Sequence, residues 1–525
     1  MLYFLEFVDL VKGPWMASTS NRDFWGVMLP QLVRNNTTLH HAATAIGAMS
    51  VWHRQFKDEA FRARPVLLQI GSPTAEQDPH HYNAIAYYCY SLKSMRQHAS
   101  VQDAILLSLL LLCFETLRGN RKAALDHLNH GLTILLWLTT ERGAQNHIAS
   151  LGPDRMPIFK AVANIFIHLA PQARMVLRGK VRHEMPLTNF SKTLTDNKHS
   201  MESFMVLLSQ LCGSSMPPDH VPAVFNNLDK FEECLMAIQR RQNSLGPIML
   251  QVIRDTGVLD SKDQSIINDF HHRALGDPSI RDFCDNSKRL LQDLDAAFLP
   301  LFNKIILSDP SSPEYLRAIL LRLQLLAVYV LDYPPQYLDF DLLQARTPDF
   351  REFLSLAEIA LRTAKQAVKN PAHQLSLQCE LAGHLLRVAL VCRDPLARDQ
   401  AMWMLRDYPG RDGRWNAPSL YAMALRNRDV ERETAAEGTP TEQWQRLWHR
   451  EHIFEDGGDR VIFRYIEKNA ATGIWQMVEE AADVLVEFEN GSHWVRQPLT
   501  GSGKLLMREW FPLESSPENG HHPGD

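Results

Sequence analysis

The clearest pattern in the chain is SPEYLRAILLRLQLLAVYVLDYPP, from Ser312 to Pro335. Leu316, Ile319, Leu320, Leu323, Ala327 and Val330 recur at the spacing that gathers apolar side chains on one side of an α-helix. Ser312 can accept from the first free amides, Pro313 suits a first turn that needs no donor, and Pro334–Pro335 stops the element. TPDFREFLSLAEIALRTAKQAVKNP repeats the design, with Thr347 and Pro348 at its start and Pro371 at its end. In TPTEQWQRLWHREH, Thr439 stands as cap, Pro440 in the first turn and Glu442 where a capping box closes. The opening MLYFLEFVDLV has no basic residues ahead of its apolar stretch, and Glu6 and Asp9 interrupt it. It reads as an amphipathic helix, not a secretion signal.

LLLLCFETLRGNRKAALDHLNHGLTILL, Leu109 to Leu136, admits three readings: membrane segment, metal site or packed helical hairpin. A membrane span needs about 18 apolar residues. The longest apolar run, Ala104 to Phe114, has Ser108 inside it and Asp103 and Glu115 at its edges. His127 and His130, three apart, share one helix face, and Cys113 and Glu115 could fold back toward them across Gly119–Asn120. Two ligands do not make a zinc site, which wants four side chains, or three and a water. The hairpin reading is stronger. Ala123, Ala124, Leu128, Gly131 and Leu132 let two helices approach closely, with the two histidines at the seam or facing solvent.

Strand signals are few. DRVIFRYIE (Asp459 to Glu467) and ADVLVEFENG (Ala482 to Gly491) carry β-branched and aromatic residues and also fit helices. GSSMPPDHVP (Gly213 to Pro222) and DYPGRDGRWNAP (Asp407 to Pro418) read as loops, and SKTLTDNKHS (Ser191 to Ser200) as a polar, exposed break. The expected fold class is all-α, a large multi-helix array of antiparallel helical hairpins, with one short β-hairpin near the C-terminus as the single exception. No fixed-period repeat and no heptad run appears. The expected organisation is a helical region over 1–430, a C-terminal helical extension over 431–513 and a disordered tail over 514–525, where ESSPENGHHPGD lies.

Composition narrows the function classes. The 525 residues suggest about three domains' worth of chain. With 45% hydrophobic and 22% charged residues the chain can bury a large core. Its 55 Lys and Arg against 60 Asp and Glu give a net charge of −5, which lacks the basic footprint of a nucleic-acid module. Direct nucleic-acid binding by this polypeptide is therefore not expected, and neither is a membrane role. The seven cysteines are scattered, with Cys379 and Cys392 the closest pair, so reduced thiols in an intracellular protein fit best.

Catalytic signatures fail one by one. His449 and His452 in HREH are three apart, not the four of the zinc-protease pattern, and the glutamate does not follow the first histidine. His40–His41, His80–His81, His271–His272 and His521–His522 are adjacent pairs, which point to different helix faces. PLTGSGKLLM contains Gly503–Lys504, but Pro498 stands where a phosphate loop needs glycine and Leu505 where it needs Ser or Thr. There is no GxSxG elbow. DFDLLQ (Asp339 to Gln344) is too sparse for an aspartate-rich metal motif, and EECLMAIQRRQ (Glu232 to Gln242) reads as a solvated charged face. RGKVRH (Arg178 to His183) is the densest basic cluster, with three Lys and Arg, too few to assign a localisation signal. No catalytic, cofactor-binding or metal-ligating residue is assigned.

Four stretches carry a resemblance: the opening MLYFLEFVDLV, DFWGVMLPQLVRNNTTLHHAATAIGAM (Asp23 to Met49), HYNAIAYYCYSLKSM (His81 to Met95) and MLRDYPGRDGRWNAP (Met404 to Pro418). In this order and at this spacing they resemble the regulatory region of fungal six-cysteine zinc-cluster transcription factors, the fungal-specific transcription factor domain, over about residues 1–430. The resemblance implies an all-helical regulatory region, a nuclear setting and partners among transcriptional co-regulators, other proteins or a small-molecule effector. The family's zinc cluster needs six closely spaced cysteines, a pair of them in CxxC spacing, followed by basic residues. No segment here has them, so no zinc ligand or DNA-reading residue carries over, and no cofactor is expected in this chain. Two explanations stay open: a gene sequence that has lost its first exons, or a stand-alone regulatory homologue. Beside the regulatory reading stand a cluster-less helical scaffold, which would allow a cytoplasmic setting, and, less favoured, an enzyme.

Overall fold

Short polar side chains and glycines set the helix ends in the computed structural model. It describes residues 1–13, 15–16, 21–54, 78–96, 100–140, 156–177, 188–212, 221–258, 272–331, 340–367, 370–408, 411–413, 415–435, 450–455, 458–469, 471–473, 475–484 and 493–499. Asp78 accepts from the His80 amide at 2.7 Å, Ser100 from the Asp103 amide at 3.1 Å and Ser312 from the Tyr315 amide at 3.3 Å. Each satisfies a donor that the first turn leaves open. Gly119, at φ 82°, closes its helix in the left-handed conformation, its N–H bonded to the Glu115 carbonyl at 2.9 Å.

Eighteen α-helices result among the described residues. The first nine are α1 (Leu2–Val11), α2 (Leu29–Asn35), α3 (Thr37–Arg54), α4 (Pro79–Met95), α5 (Val101–Arg118), α6 (Arg121–Thr140), α7 (Met156–Leu177), α8 (Thr188–Asp196) and α9 (Met201–Leu211). The next nine are α10 (Leu228–Gln242), α11 (Leu245–Asp255), α12 (Pro278–Ile306), α13 (Pro313–Leu326), α14 (Phe340–Ala345), α15 (Thr347–Ala367), α16 (Leu381–Val391), α17 (Pro395–Arg406) and α18 (Ala417–Glu433). Six strands in two sheets complete the order among the described residues. β1 (Leu375–Ser376) and β2 (Arg411–Asp412) make a short parallel contact, and β3 (Glu451–Glu455), β4 (Arg460–Lys468), β5 (Trp475–Asp483) and β6 (Val495–Gln497) form an antiparallel sheet in that order. The chain is mostly helical with one small sheet near its C-terminus, the expected fold class.

Two hydrophobic cores organise the helices. The first gathers α1–α9 around α3, whose residues 42–50 are buried on every side. Ala42, Ala43, Ala45, Gly47 and Ala48 keep α3 thin enough for α1, α4 and α5 to press against it. The second gathers α10 and α12–α18 around α13, and the sheet joins it through Phe454, Val461 and Val484. Each core borrows from the other end of the chain. Trp15 packs in the second, and Ala372, Leu375 and Leu377 pack in the first.

Several details differ from the sequence expectations. The 312–335 pattern predicts one apolar face, whereas α13 is buried all round, with Arg317 and Arg322 inside. Arg317 pairs with Glu232 at 2.5 Å, and Arg322 pairs with Asp295 and, at 2.8 Å, with Glu352. The helix then widens to π turns over Ala327–Leu331. The polar break at Ser191 is helical to Asp196, with Phe190 and Leu194 turned inward. The hairpin partner of β4 is 475–483, so only Ala482 and Asp483 of the expected second strand belong to it. Glu479 and Glu480 hid that strand; they are buried because Arg464 and Arg426 pair with them. The expected helix from Thr439 lies outside the described residues up to His449, and its last two residues, Glu451 and His452, are in β3. The segment 514–525 also lies outside them.

Candidate functional site

The Leu109–Leu136 stretch is a helical hairpin. α5 and α6 meet across Gly119–Asn120, and Asn120 Oδ1 accepts from the Ala123 amide at 3.2 Å. A Cβ on Gly131 would strike the Phe166 ring and lie 2.8 Å from Ser108 Oγ. His130 is exposed. His127 lies within hydrogen-bond distance of Tyr88 Oη, 3.1 Å from its Nε2, and burial together with nearby His130 pulls its pKa down to about 4. Tyr88 stacks on Phe114 and also faces Glu115, which burial pushes above the ordinary carboxylate range against the pull of Arg118. Cys113 is buried, its thiol pushed up to about 12 by burial.

The other sequence candidates are absorbed by packing. His80 meets Tyr3 Oη at 2.9 Å, His81 packs beside Trp52, and His41 stacks on Tyr87. His452 stacks on Phe463 in the sheet. The Glu232–Gln242 stretch, expected as a solvated face, is part of α10 with Glu232 buried against Arg317. DFDLLQ contributes Phe340–Gln344 to α14. His271, His449, Gly503–Lys504, RGKVRH and His521–His522 lie outside the described residues. Among the described residues no three His, Cys, Asp or Glu side chains gather where a metal ion could sit. Among them also, no helix is long and apolar enough to cross a membrane.

Two polar nodes escaped the sequence reading. The first is Glu6 on α1, which accepts from Ser50 Oγ at 2.9 Å, from Asn370 Nδ2 at 2.8 Å and from Arg54, and lies 2.9 Å from His373 Nε2. Burial alone would raise its pKa. The bonds from His373, Ser50 and Arg54 outweigh that and hold the carboxyl at about 2. The second is Asp412 on β2. Its two oxygens accept from the Glu380 and Ala382 amides, both at 2.9 Å, and Tyr408 Oη donates at 3.4 Å. Asp412 thereby caps α16, whose own N-cap residue, Glu380, sits at φ 52° and does not cap the helix with its side chain. Burial lifts Asp412 to about 6 against these bonds.

Beside this node a cavity of about 140 Å³ opens to solvent. Its walls come from α7, α9, α10, the end of α13 with the π turns after it, and residues 378–384, which run into α16. The polar lining includes His168, Arg240, Gln324, Gln378, Glu380 and His384. Met205, Met236 and Val328 supply much of the apolar part. Burial leaves both imidazoles neutral at physiological pH, with His168 pulled down to about 4 and His384 to about 3. Cys379 is held as a thiol, first by burial and then by the Asp412 carboxylate. Gln378 is fixed by Asn21 and Trp25, which donate to its Oε1 at 3.3 and 3.5 Å. The arrangement offers hydrogen-bonding groups and one cation around an apolar floor. It suits binding a small molecule more than attacking one.

No family model matches the chain, and no curated protein or solved structure matches it.

Proposed function

We propose that this chain is a transcription-regulatory helical region that acts through protein or effector binding, in a nuclear setting. One observation carries the proposal: the four stretches that resemble the fungal zinc-cluster regulatory region, in their order along the chain. Residues of these stretches also make contacts that hold the helices together, which supports reading them together. Gly47 lets Tyr3 of the opening helix approach α3, Tyr88 stacks on Phe114, and Asp412 caps α16. In this reading DNA contact belongs to another polypeptide or another segment, since the chain's net charge of −5 lacks the basic footprint of a nucleic-acid module.

The test is affinity capture with the chain as bait in nuclear extract. Transcription factors or mediator-like co-regulators recovered with it support the proposal. Recovery of cytosolic proteins unrelated to transcription would replace it with the scaffold reading.

A further inference from the structure

We propose that the cavity beside α10 is a binding site for a small organic monocarboxylate with an apolar body, its carboxylate held by Arg240. The inference deepens the effector reading of the regulatory region and rests on that reading for its biological meaning.

Three observations point to this ligand class. Arg240 lies in the last turn of α10, half-buried, with no hydrogen-bond partner for its Nε. Among the described residues no carboxylate forms an ion pair with it, although Arg317, Arg322, Arg426 and Arg464 in the same chain each have buried or half-buried acidic partners. Glu233 attracts this half-buried guanidinium without forming an ion pair with it, and a bound carboxylate would give it a direct partner with bidentate geometry. Second, among the described residues Arg240 is the one cation of the lining and Glu380 its one carboxylate, so the site balances a single negative charge at most. Gln324, Gln378 and the two uncharged imidazoles can donate and accept, whereas Glu380 repels a second negative charge. That selects a monoanion over a dianion. Third, size and floor agree. The cavity volume is close to the roughly 150 Å³ that holds benzene in a protein core, and Met205, Met236 and Val328 give the body of such a ligand an apolar bed.

The walls are also built from unusual backbone. The π turns carrying Ala327 and Val328 and the left-handed Glu380 meet at this cavity. Both conformations are sparse for ordinary residues and gather where a ligand must be accommodated.

The experiment is calorimetric titration of the full chain with sodium isovalerate, neutral isovaleramide and disodium succinate. Isovalerate is expected to bind saturably, and isovaleramide and succinate at least about tenfold more weakly. Arg240→Gln should weaken isovalerate on the order of tenfold or more. Arg240→Lys should restore part of that loss, and Val328→Phe should block the bed; circular dichroism reports whether each variant is folded. Absence of saturable isovalerate binding up to about 10 mM by the folded wild-type chain would overturn the proposal. Equal affinity in folded Arg240→Gln, or equal binding of the amide, would overturn it as well. Failure of the regulatory reading looks different: isovalerate binds as predicted but capture from nuclear extract finds no transcriptional partner.

Discussion

Glu6 on the first helix accepts a hydrogen bond from Asn370 Nδ2 at 2.8 Å, across 364 residues of sequence. The same carboxylate binds Ser50 and Arg54 on α3 and lies beside His373. It therefore ties α1, α3 and the 370–374 turn together at the edge of the first core. A carboxylate held at about 2, against an ordinary value of 4.5, adds stability that is present above pH 4.5 and lost as pH falls through 2. The shift corresponds to roughly 3 kcal/mol. Glu6→Leu should cost on the order of 3 kcal/mol, because Asn370 and Ser50 keep buried donors without their acceptor. Denaturant titration at pH 7 and pH 3 measures both effects. The variant's deficit should shrink at pH 3, and a deficit independent of pH would refute the ionic account.

Close approach of helices makes the second prediction. A Cβ on Gly47 would strike the Tyr3 carbonyl and lie 3.1 Å from the Phe7 amide, so the obstacle is the backbone of α1 itself. A Cβ on Gly131 meets the Phe166 ring and Ser108 Oγ, which can shift. Gly131→Ala should therefore cost about 1–3 kcal/mol from overpacking. Gly47→Ala should cost more and loosen α1, read as early cleavage in limited proteolysis near residue 12. His127→Ala, which removes one bond to Tyr88, should cost about 1 kcal/mol. A metal released by His127→Ala would contradict the hairpin account.

Asp412 gives a pH effect of opposite sign. Its folded-state pKa of about 6, raised from 3.8, means that the folded chain holds this proton more tightly than the unfolded one. The stability contributed by this group therefore falls as pH rises from about 4 to 6, the reverse of Glu6, whose window ends below pH 4.5. Asp412→Asn removes that slope and also one of two acceptors for the α16 amides, at about 1–2 kcal/mol. Glu380→Gly should be neutral or stabilising by about 1 kcal/mol, since glycine meets no penalty at φ 52°. Thermal melts across pH 4 to 7 on the three proteins separate these terms. A slope unchanged in Asp412→Asn would refute the assignment.

Local rules made much of the fold legible. Ser312 caps α13 where the sequence placed it, Gly119 turns α5 into α6, and Thr347 opens α15, because caps and left-handed glycines act within a few residues. Long-range pairing was not legible. Glu6 looked like an interruption of an apolar helix, and Glu232 like solvated surface, because the partners that bury them are far away in sequence. The same holds for β5, whose Glu479 and Glu480 hide an inward-facing strand until Arg464 and Arg426 are placed beside them. The cavity had no sequence signature at all. Its lining comes from five stretches of chain, and no two of its polar groups form a spaced motif.

The measurement that tests the regulatory claim most directly is a tethered reporter assay. The full chain is fused to an unrelated DNA-binding domain and directed to a reporter promoter in fungal cells. The account predicts that the fusion changes transcription relative to the DNA-binding domain alone. It also predicts that the change disappears when Gly47→Ala unseats α1. A folded, nuclear fusion that leaves the reporter at its baseline would contradict it.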